Sequence, residues 1–270
     1  MGTAPTTVQI DGRPYRIAFQ GFDRPLDIST DDGAEARLCP WTLGQHLATL
    51  TECLRHGPGG LALDSAAYAG QVLDASGVPE ARRSELAPLA LWWASGGGGG
   101  DSQTPAADGW LDLGGTRAQL RPWSAGERFA MLAEASVPDA AGGTRADPVA
   151  CVRAMLRHTV TATDPPTDLD ALDSGAAATL LAAAIAINDR PTAGGAVPHT
   201  IPDSPPAARL TLRLCRALGW TPSQVWATPA AEIDLLVGLL DRLESVSPVT
   251  PARGLAAHPD AVVIRIEDDR

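Results

Sequence analysis

Thirteen residues recur in this chain almost as a phrase. "LCPWTLGQHLATL" runs from Leu38 to Leu50, and "LRPWSAGERFAML" runs from Leu120 to Leu132, 82 positions later. Leu, Pro, Trp, Gly, Ala and the final Leu coincide, Thr42 faces Ser124 and Leu47 faces Phe129. Whatever the chain folds into must use one local structure twice. Pro40 and Pro122 have no N–H to donate, so each ends a β ladder. Thr42-x-x-Gln45 and Ser124-x-x-Glu127 are then capping boxes. In such a box the hydroxyl accepts from the backbone N–H three residues on, and the Gln or Glu side chain reaches back to the N–H of the cap. Behind the boxes, Leu43, Leu47, Leu50 and Leu54 form one helical stripe, and Ala125, Phe129 and Leu132 form the other. The phrase reads as a strand–cap–helix joint. Trp41 and Trp123 stand where a hydrophobic staple belongs, with His46 and Arg128 as the expected partners, the latter as a cation–π contact.

The flanks extend the repeat. "WLDLGGTRAQL" alternates around Gly114-Gly115, a hairpin signal. "PLDISTDDGAEARL" forms the same hairpin with a longer turn. After each joint an aspartate, Asp64 or Asp147, caps a further helix, the second with Pro148 at its first position. An apolar helix closes each unit: "SELAPLALWWAS" in one, "GAAATLLAAAIAIND" in the other. The expectation is an α+β fold, predominantly helical, of two similar hairpin-plus-helices modules followed by a C-terminal helical unit. The modules span 1–95 and 110–190, joined by a flexible Gly-rich linker at 96–109, and the C-terminal unit with its acidic tail spans 191–270. In that unit Ser204 and Pro205 open a helix that Gly219 ends, with Leu210, Leu214 and Leu218 inward. Thr221-Pro222-Ser223-Gln224 is a third capping box. Thr228-Pro229 opens the longest helix, with Ile233, Leu236, Val237, Leu240 and Leu243 on one face. "AVVIRI", 261–266, reads as a last strand.

Composition excludes whole classes of chemistry. All 21 basic residues are arginine, so no P-loop, Schiff base or kinase-type lysine is available. The formal net charge of −11 repels a phosphate backbone or an anionic membrane. No apolar run approaches a membrane span, and the N-terminus lacks a basic-then-apolar signal pattern, so a cytoplasmic protein is expected. Cys39, Cys53, Cys151 and Cys215 never form C-x-x-C and read as reduced, mostly packed thiols.

The search for a catalytic or metal motif is negative. There is no H-E-x-x-H, no G-x-S-x-G and no metal-spaced Cys/His set. The five glycines from Gly96 miss a dinucleotide fingerprint, because position 101 is aspartate. "TDLDALDSG", 167–175, fails the calcium-loop pattern at its fifth and sixth positions and reads as a loop with a helix cap. "LCRALGWTPSQVWATP" resembles a helix-turn-helix, but its second helix carries no cation to meet phosphate. Trp92 and Trp93, adjacent on a helix, cannot both face one core. Either one is exposed to a protein partner or both lie between packed modules.

The run "AQLRPWSAGERFAML" resembles the T4-type baseplate hub assembly chaperone family of contractile phage tails and phage-like injection systems. The later "LLAAAIAIND" is similar to the apolar helix of that family. The resemblance implies a non-enzymatic assembly factor without a cofactor, whose partners are baseplate or tail proteins rather than nucleic acid or membrane. Alternative readings are a permanent baseplate or tail component and a small cytoplasmic enzyme. The residues singled out are the structural joint Pro40, Trp41, Thr42 and Gln45 with Pro122, Trp123, Ser124 and Glu127, and the protein-binding pair Trp92 and Trp93.

Overall fold

The computed structural model describes residues 5–29, 35–57, 60–98, 105–106, 108–138, 143–189 and 204–246. Helices and antiparallel sheets alternate along it, an α+β arrangement with more helix than strand. The first sheet starts with a hairpin that the repeat does not announce. β1 (Thr6–Ile10) and β2 (Arg13–Ala18) pair across Asp11-Gly12, both with positive φ, as a two-residue turn between right-twisted strands requires. β3 (Leu26–Ser29) and β4 (Glu35–Leu38) extend it to four strands in the order β1-β2-β3-β4. Alternation sends Tyr15, Ile17, Leu26, Ile28 and Leu38 to one face. There they join Tyr68, Val72 and Leu73 of α2 (Ser65–Ala75) and Leu86, Leu89 and Trp93 of α3 (Glu80–Ala94) in one core. Between sheet and helices run α1 (Leu43–Cys53) and the small hairpin β5 (Leu54–Gly57) and β6 (Gly60–Leu63).

The same order returns. β7 (Trp110–Asp112) and β8 (Arg117–Leu120) form the expected hairpin, α4 (Ala125–Glu134) follows the joint, and β9 (Ser136–Pro138) pairs with β10 (Thr144–Ala146). α5 (Pro148–Thr159) is capped by Asp147, as α2 is by Asp64. Each of those aspartates donates its N–H to the end of the helix before it, Asp64 to Cys53 O at 2.9 Å and Asp147 to Ala135 O at 2.8 Å. β11 (Val160–Asp164) then pairs with β8 to give the order β11-β8-β7. A 3-10 turn (Leu169–Ala171) leads into α6 (Ser174–Asn188). The C-terminal part holds α7 (Ser204–Leu218), α8 (Pro222–Ala227) and α9 (Ala230–Val246).

The capped helices do not stay with their own hairpins. Leu43 and Leu47 of α1 are buried with Leu111, Ala118 and Leu120 of the second hairpin and Leu180 and Ala184 of α6. Ala125 of α4 is buried with Leu214, Val225 and Ile233 of the C-terminal helices. Each capped helix therefore ties one stretch of chain to the next.

Two expectations are corrected. The Gly-rich stretch does not begin as a free tether: Gly96 is buried against Ser174 and Ala178 of α6, Gly97 lies against Phe22, and Ser174 Oγ donates to Trp93 O at 2.8 Å. Leu243 does not join Ile233, Leu236, Val237 and Leu240 in the core but is 66% exposed. α8, the second helix of the helix-turn-helix comparison, packs against α4 and α7 with Val225 fully buried, while Trp226 is 49% exposed. The strand expected at 261–266 lies outside the described residues. Among the described residues no helix is long and apolar enough to cross a membrane.

Candidate protein-interaction site

A helix begins with four N–H groups that lack intrahelical acceptors. The joint satisfies them in the same way twice. Thr42 Oγ1 accepts from Gln45 N at 3.3 Å while Gln45 Oε1 accepts from Thr42 N at 2.9 Å. Ser124 Oγ accepts from Glu127 N at 3.2 Å while Glu127 Oε2 accepts from Ser124 N at 2.8 Å. The next donor is satisfied by a carbonyl far along the chain. Leu43 N donates to Leu172 O, just before α6, and Ala125 N donates to Thr228 O, just before α9, both at 2.8 Å. Isolated antiparallel bridges, Thr42 with Asp173 and Ser124 with Pro229, seal the two contacts. The shared glycine explains the close approach. A Cβ on Gly44 would lie 3.0 Å from Asp170 Cβ and 3.1 Å from its carbonyl, and one on Gly126 would lie 3.1 Å from Trp226 Cβ and 3.1 Å from its carbonyl. Pro40, Trp41, Thr42 and Gln45, with Pro122, Trp123, Ser124 and Glu127, thus form docking joints as well as helix caps.

The two joints part where their partners differ. Trp41 is buried and donates through Nε1 to the Tyr68 hydroxyl at 3.1 Å, which itself lies 2.6 Å from His46 Nδ1. The hydroxyl thus links the indole and the imidazole in one buried chain. Burial pushes the His46 pKa down and that of Tyr68 up to about 12, the indole bond opposing the latter. The staple contact of Trp41 is therefore Tyr68 rather than His46. Cys151 stands four residues after Asp147, as Tyr68 does after Asp64, and Trp123 Nε1 is buried without a hydrogen-bond partner among the described residues. Arg128 does not supply the expected cation–π contact. Its guanidinium binds both oxygens of Asp234, at 2.5 and 2.6 Å, linking α4 to α9. The cation–π contact found among the described residues is Arg117 over Trp110. Glu127 is gripped by Arg121, whose hydrogen bond holds its carboxyl down at about pH 2 against a smaller opposing effect of burial.

Trp92 and Trp93 divide as helix geometry demands. Trp93 is fully buried and donates through Nε1 to Cys39 O at 2.7 Å, so it is a core residue that pins α3 to the end of the first sheet. Trp92 is half-buried, with ring centroids 5.8 Å from Phe22 and 6.2 Å from Phe19. Phe19 follows β2, is 37% exposed, and meets Phe22 edge-on at 5.0 Å. The sequence reading missed both phenylalanines, which come from a loop 70 and more residues away from Trp92. Together Phe19 and Trp92 make an aromatic ledge on a rigid helix end.

The carboxylates of the 167–175 loop serve two helix caps and an ion pair. Asp168 caps the 3-10 turn, Asp173 caps α6, and both oxygens of Asp170 bind Arg153 within 2.9 Å. Between α1, α4 and α5 lies a cavity of about 640 Å³ whose walls include Leu43, Leu47, Met131, Arg153, Arg157 and Asp170. Its guanidinium groups are paired, Arg153 with Asp170 and Arg157 with Glu134. Among the described residues no group of three or more His, Cys, Asp or Glu side chains is placed to hold a metal ion. Comparison with known proteins finds no matching family model, no matching curated protein and no matching solved structure.

Proposed function

We propose that this protein works by protein–protein contact, as a non-enzymatic assembly factor for the baseplate or tail of a contractile phage-like particle. The observation that carries the protein-binding reading is the ledge of Phe19 and Trp92. Large rigid aromatic side chains held half-exposed on packed backbone are the residues that most often anchor protein interfaces. The client class rests on the resemblance of the joint sequence to the hub chaperone family. The titratable clusters support the reading too, since the contacts of Asp168, Asp170, Asp173, Glu127 and His46 are to caps, guanidinium groups and a buried hydroxyl.

On this reading the chain is one unit written twice and then in part. The unit is a hairpin, a capped helix, a small hairpin, an Asp-capped helix and an apolar helix, and each capped helix docks on the stretch that follows. Assembly factors need a stiff platform, and such head-to-tail docking supplies one. Cytoplasmic residence accords with clients that assemble there.

The test is a pulldown of candidate baseplate and tail proteins with Trp92→Ala, Phe19→Ala and the double variant. Loss of capture by at least about tenfold in the folded double variant supports the ledge as the contact. Undiminished capture by that variant, with circular dichroism unchanged, removes it. A transient factor is absent from purified particles, and a permanent component is present at fixed stoichiometry.

A further inference from the structure

We propose that the cavity at the first docking joint binds a small aromatic amine. This is independent of the protein-binding reading above. The cavity, of about 640 Å³, falls in the size range of small-molecule sites, about 300–1,000 Å³. It also lies where such sites recur, between stretches of chain that dock on one another. α1 contributes Leu43 and Leu47, and α4, α5 and the chain leading into α6 contribute the rest. The floor is apolar: Leu43, Leu47, Met131, Ala135, Ala154 and Leu156 are all buried.

The second joint shows what fits such a corner. Asp170 stands against Gly44 as Trp226 stands against Gly126, through Cβ and through the carbonyl, at 3.0 and 3.1 Å from an added Cβ in the first case and at 3.1 Å for both in the second. Asp170 and Trp226 therefore hold equivalent positions. Each also reaches the α-helix before it. Asp170 binds Arg153 of α5, and Trp226 donates through Nε1 to Thr211 Oγ1 of α7 at 3.3 Å. The second joint carries an indole where the first carries a carboxylate, and that carboxylate residue lines the cavity. A free aromatic ring is the ligand body this architecture accommodates. Met131 adds a thioether to the wall, a favoured neighbour of aromatic rings.

The rim selects the charge of the ligand. Three carboxylates, Glu134, Asp168 and Asp170, line the cavity against two guanidinium groups, Arg153 and Arg157. Arg153 meets both oxygens of Asp170, at 2.9 and 2.8 Å, so that pair is closed. Arg157 meets one oxygen of Glu134, at 3.1 Å, and Asp168 accepts from Asp170 N through one oxygen, at 3.1 Å. A carboxylate has about four lone-pair sites, so Glu134 and Asp168 keep capacity to accept from an ammonium group. The net charge of −11 draws cations toward the surface. An arylalkylamine, with its ring on the apolar floor and its ammonium at the rim, satisfies both halves of the site. An aryl carboxylate would bring like charge onto the rim.

The test titrates the full chain, carrying carbon-13 methyl-labelled methionine, with tryptamine, indole and indole-3-acetate. Met131 lines the cavity, and Met155, outside the lining, is the control. The Met131 methyl signal should shift saturably with tryptamine, with a Kd below about 1 mM, and indole-3-acetate should bind at least about tenfold more weakly. Ala150→Phe fills the cavity from α5, and Asp170→Trp installs the residue of the second joint. Each should weaken tryptamine binding at least about tenfold, with circular dichroism showing that the variant is folded. Glu134→Gln should lower the preference for tryptamine over indole about fivefold. The parent titration and Ala150→Phe decide the matter if Asp170→Trp does not fold. No saturable shift of the Met131 methyl up to about 10 mM tryptamine overturns the proposal. Unchanged affinity in folded Ala150→Phe overturns it too, by placing tryptamine elsewhere. Indole-3-acetate binding as tightly as tryptamine overturns the assignment of an amine.

Discussion

Replacing Gly126 by alanine sets two opposed effects against each other. In an ordinary helix interior the change stabilises by about 1 kcal/mol, because glycine loses more backbone freedom on folding. At Gly126 the new Cβ would sit 3.1 Å from both Trp226 Cβ and the Trp226 carbonyl oxygen. Comfortable contact begins near about 3.5 Å, so α8 must retreat by a few tenths of an ångström. α8 is held by α4 and α7, and its retreat strains the 2.8 Å bond from Ala125 N to Thr228 O. Overpacking of this kind costs about 1–3 kcal/mol and a weakened hydrogen bond about 1 more. The cost wins, and the expected net loss is about 1–3 kcal/mol. Gly44→Ala, facing Asp170 at 3.0 Å, should lose a similar amount. Gly70 is the internal control: it lies within α2 with no atom within 4 Å of an added Cβ, so Gly70→Ala should gain about 0.5–1 kcal/mol. Urea unfolding followed by tryptophan fluorescence and far-ultraviolet circular dichroism, compared at unchanged m, measures all three. If Gly44→Ala and Gly126→Ala are as stable as Gly70→Ala, close docking is not why the repeated phrase carries a glycine.

Tyr68→Phe leaves a buried indole N–H without its acceptor and His46 without its hydroxyl partner, so a loss of about 2 kcal/mol in urea unfolding is expected; a neutral result would show that the Trp41–Tyr68–His46 chain contributes nothing to stability. Glu127→Gln keeps the capping bond and removes the charge held by Arg121, with His158 as the other neighbour at 3.6 Å. Because the folded-state pKa of Glu127 is lowered from 4.5 to about 2, its ionic contribution is complete above about pH 4.5 and disappears as pH falls toward 2. After allowance for solvent screening the difference between parent and variant should be about 1 kcal/mol at neutral pH and vanish near pH 2; a difference that persists unchanged at pH 2 would refute the assignment.

The sequence alone was enough for what is satisfied locally. The three capping boxes, the aspartate caps of α2, α5 and α6, the proline stops at Pro40 and Pro122 and the Gly114-Gly115 hairpin all appear where the residues place them, because each closes its hydrogen bonds within a few positions. The Asp11-Gly12 turn between alternating runs was equally local, and it was legible though unread. The tertiary structure decided which surfaces meet. Periodicity puts Leu43 and Leu47 on one stripe of α1, but only packing makes that stripe part of the core of the following stretch. α9 is apolar over much of its circumference, so its pattern allowed Leu243 to face inward, and the arrival of α4 and α7 on the other side turned it out. Adjacent tryptophans must diverge on any helix. Which of them is buried was settled by Cys39 O and by Phe19 and Phe22, contributed from 54 to 74 positions away, and contacts at that separation leave no periodicity in the chain to read.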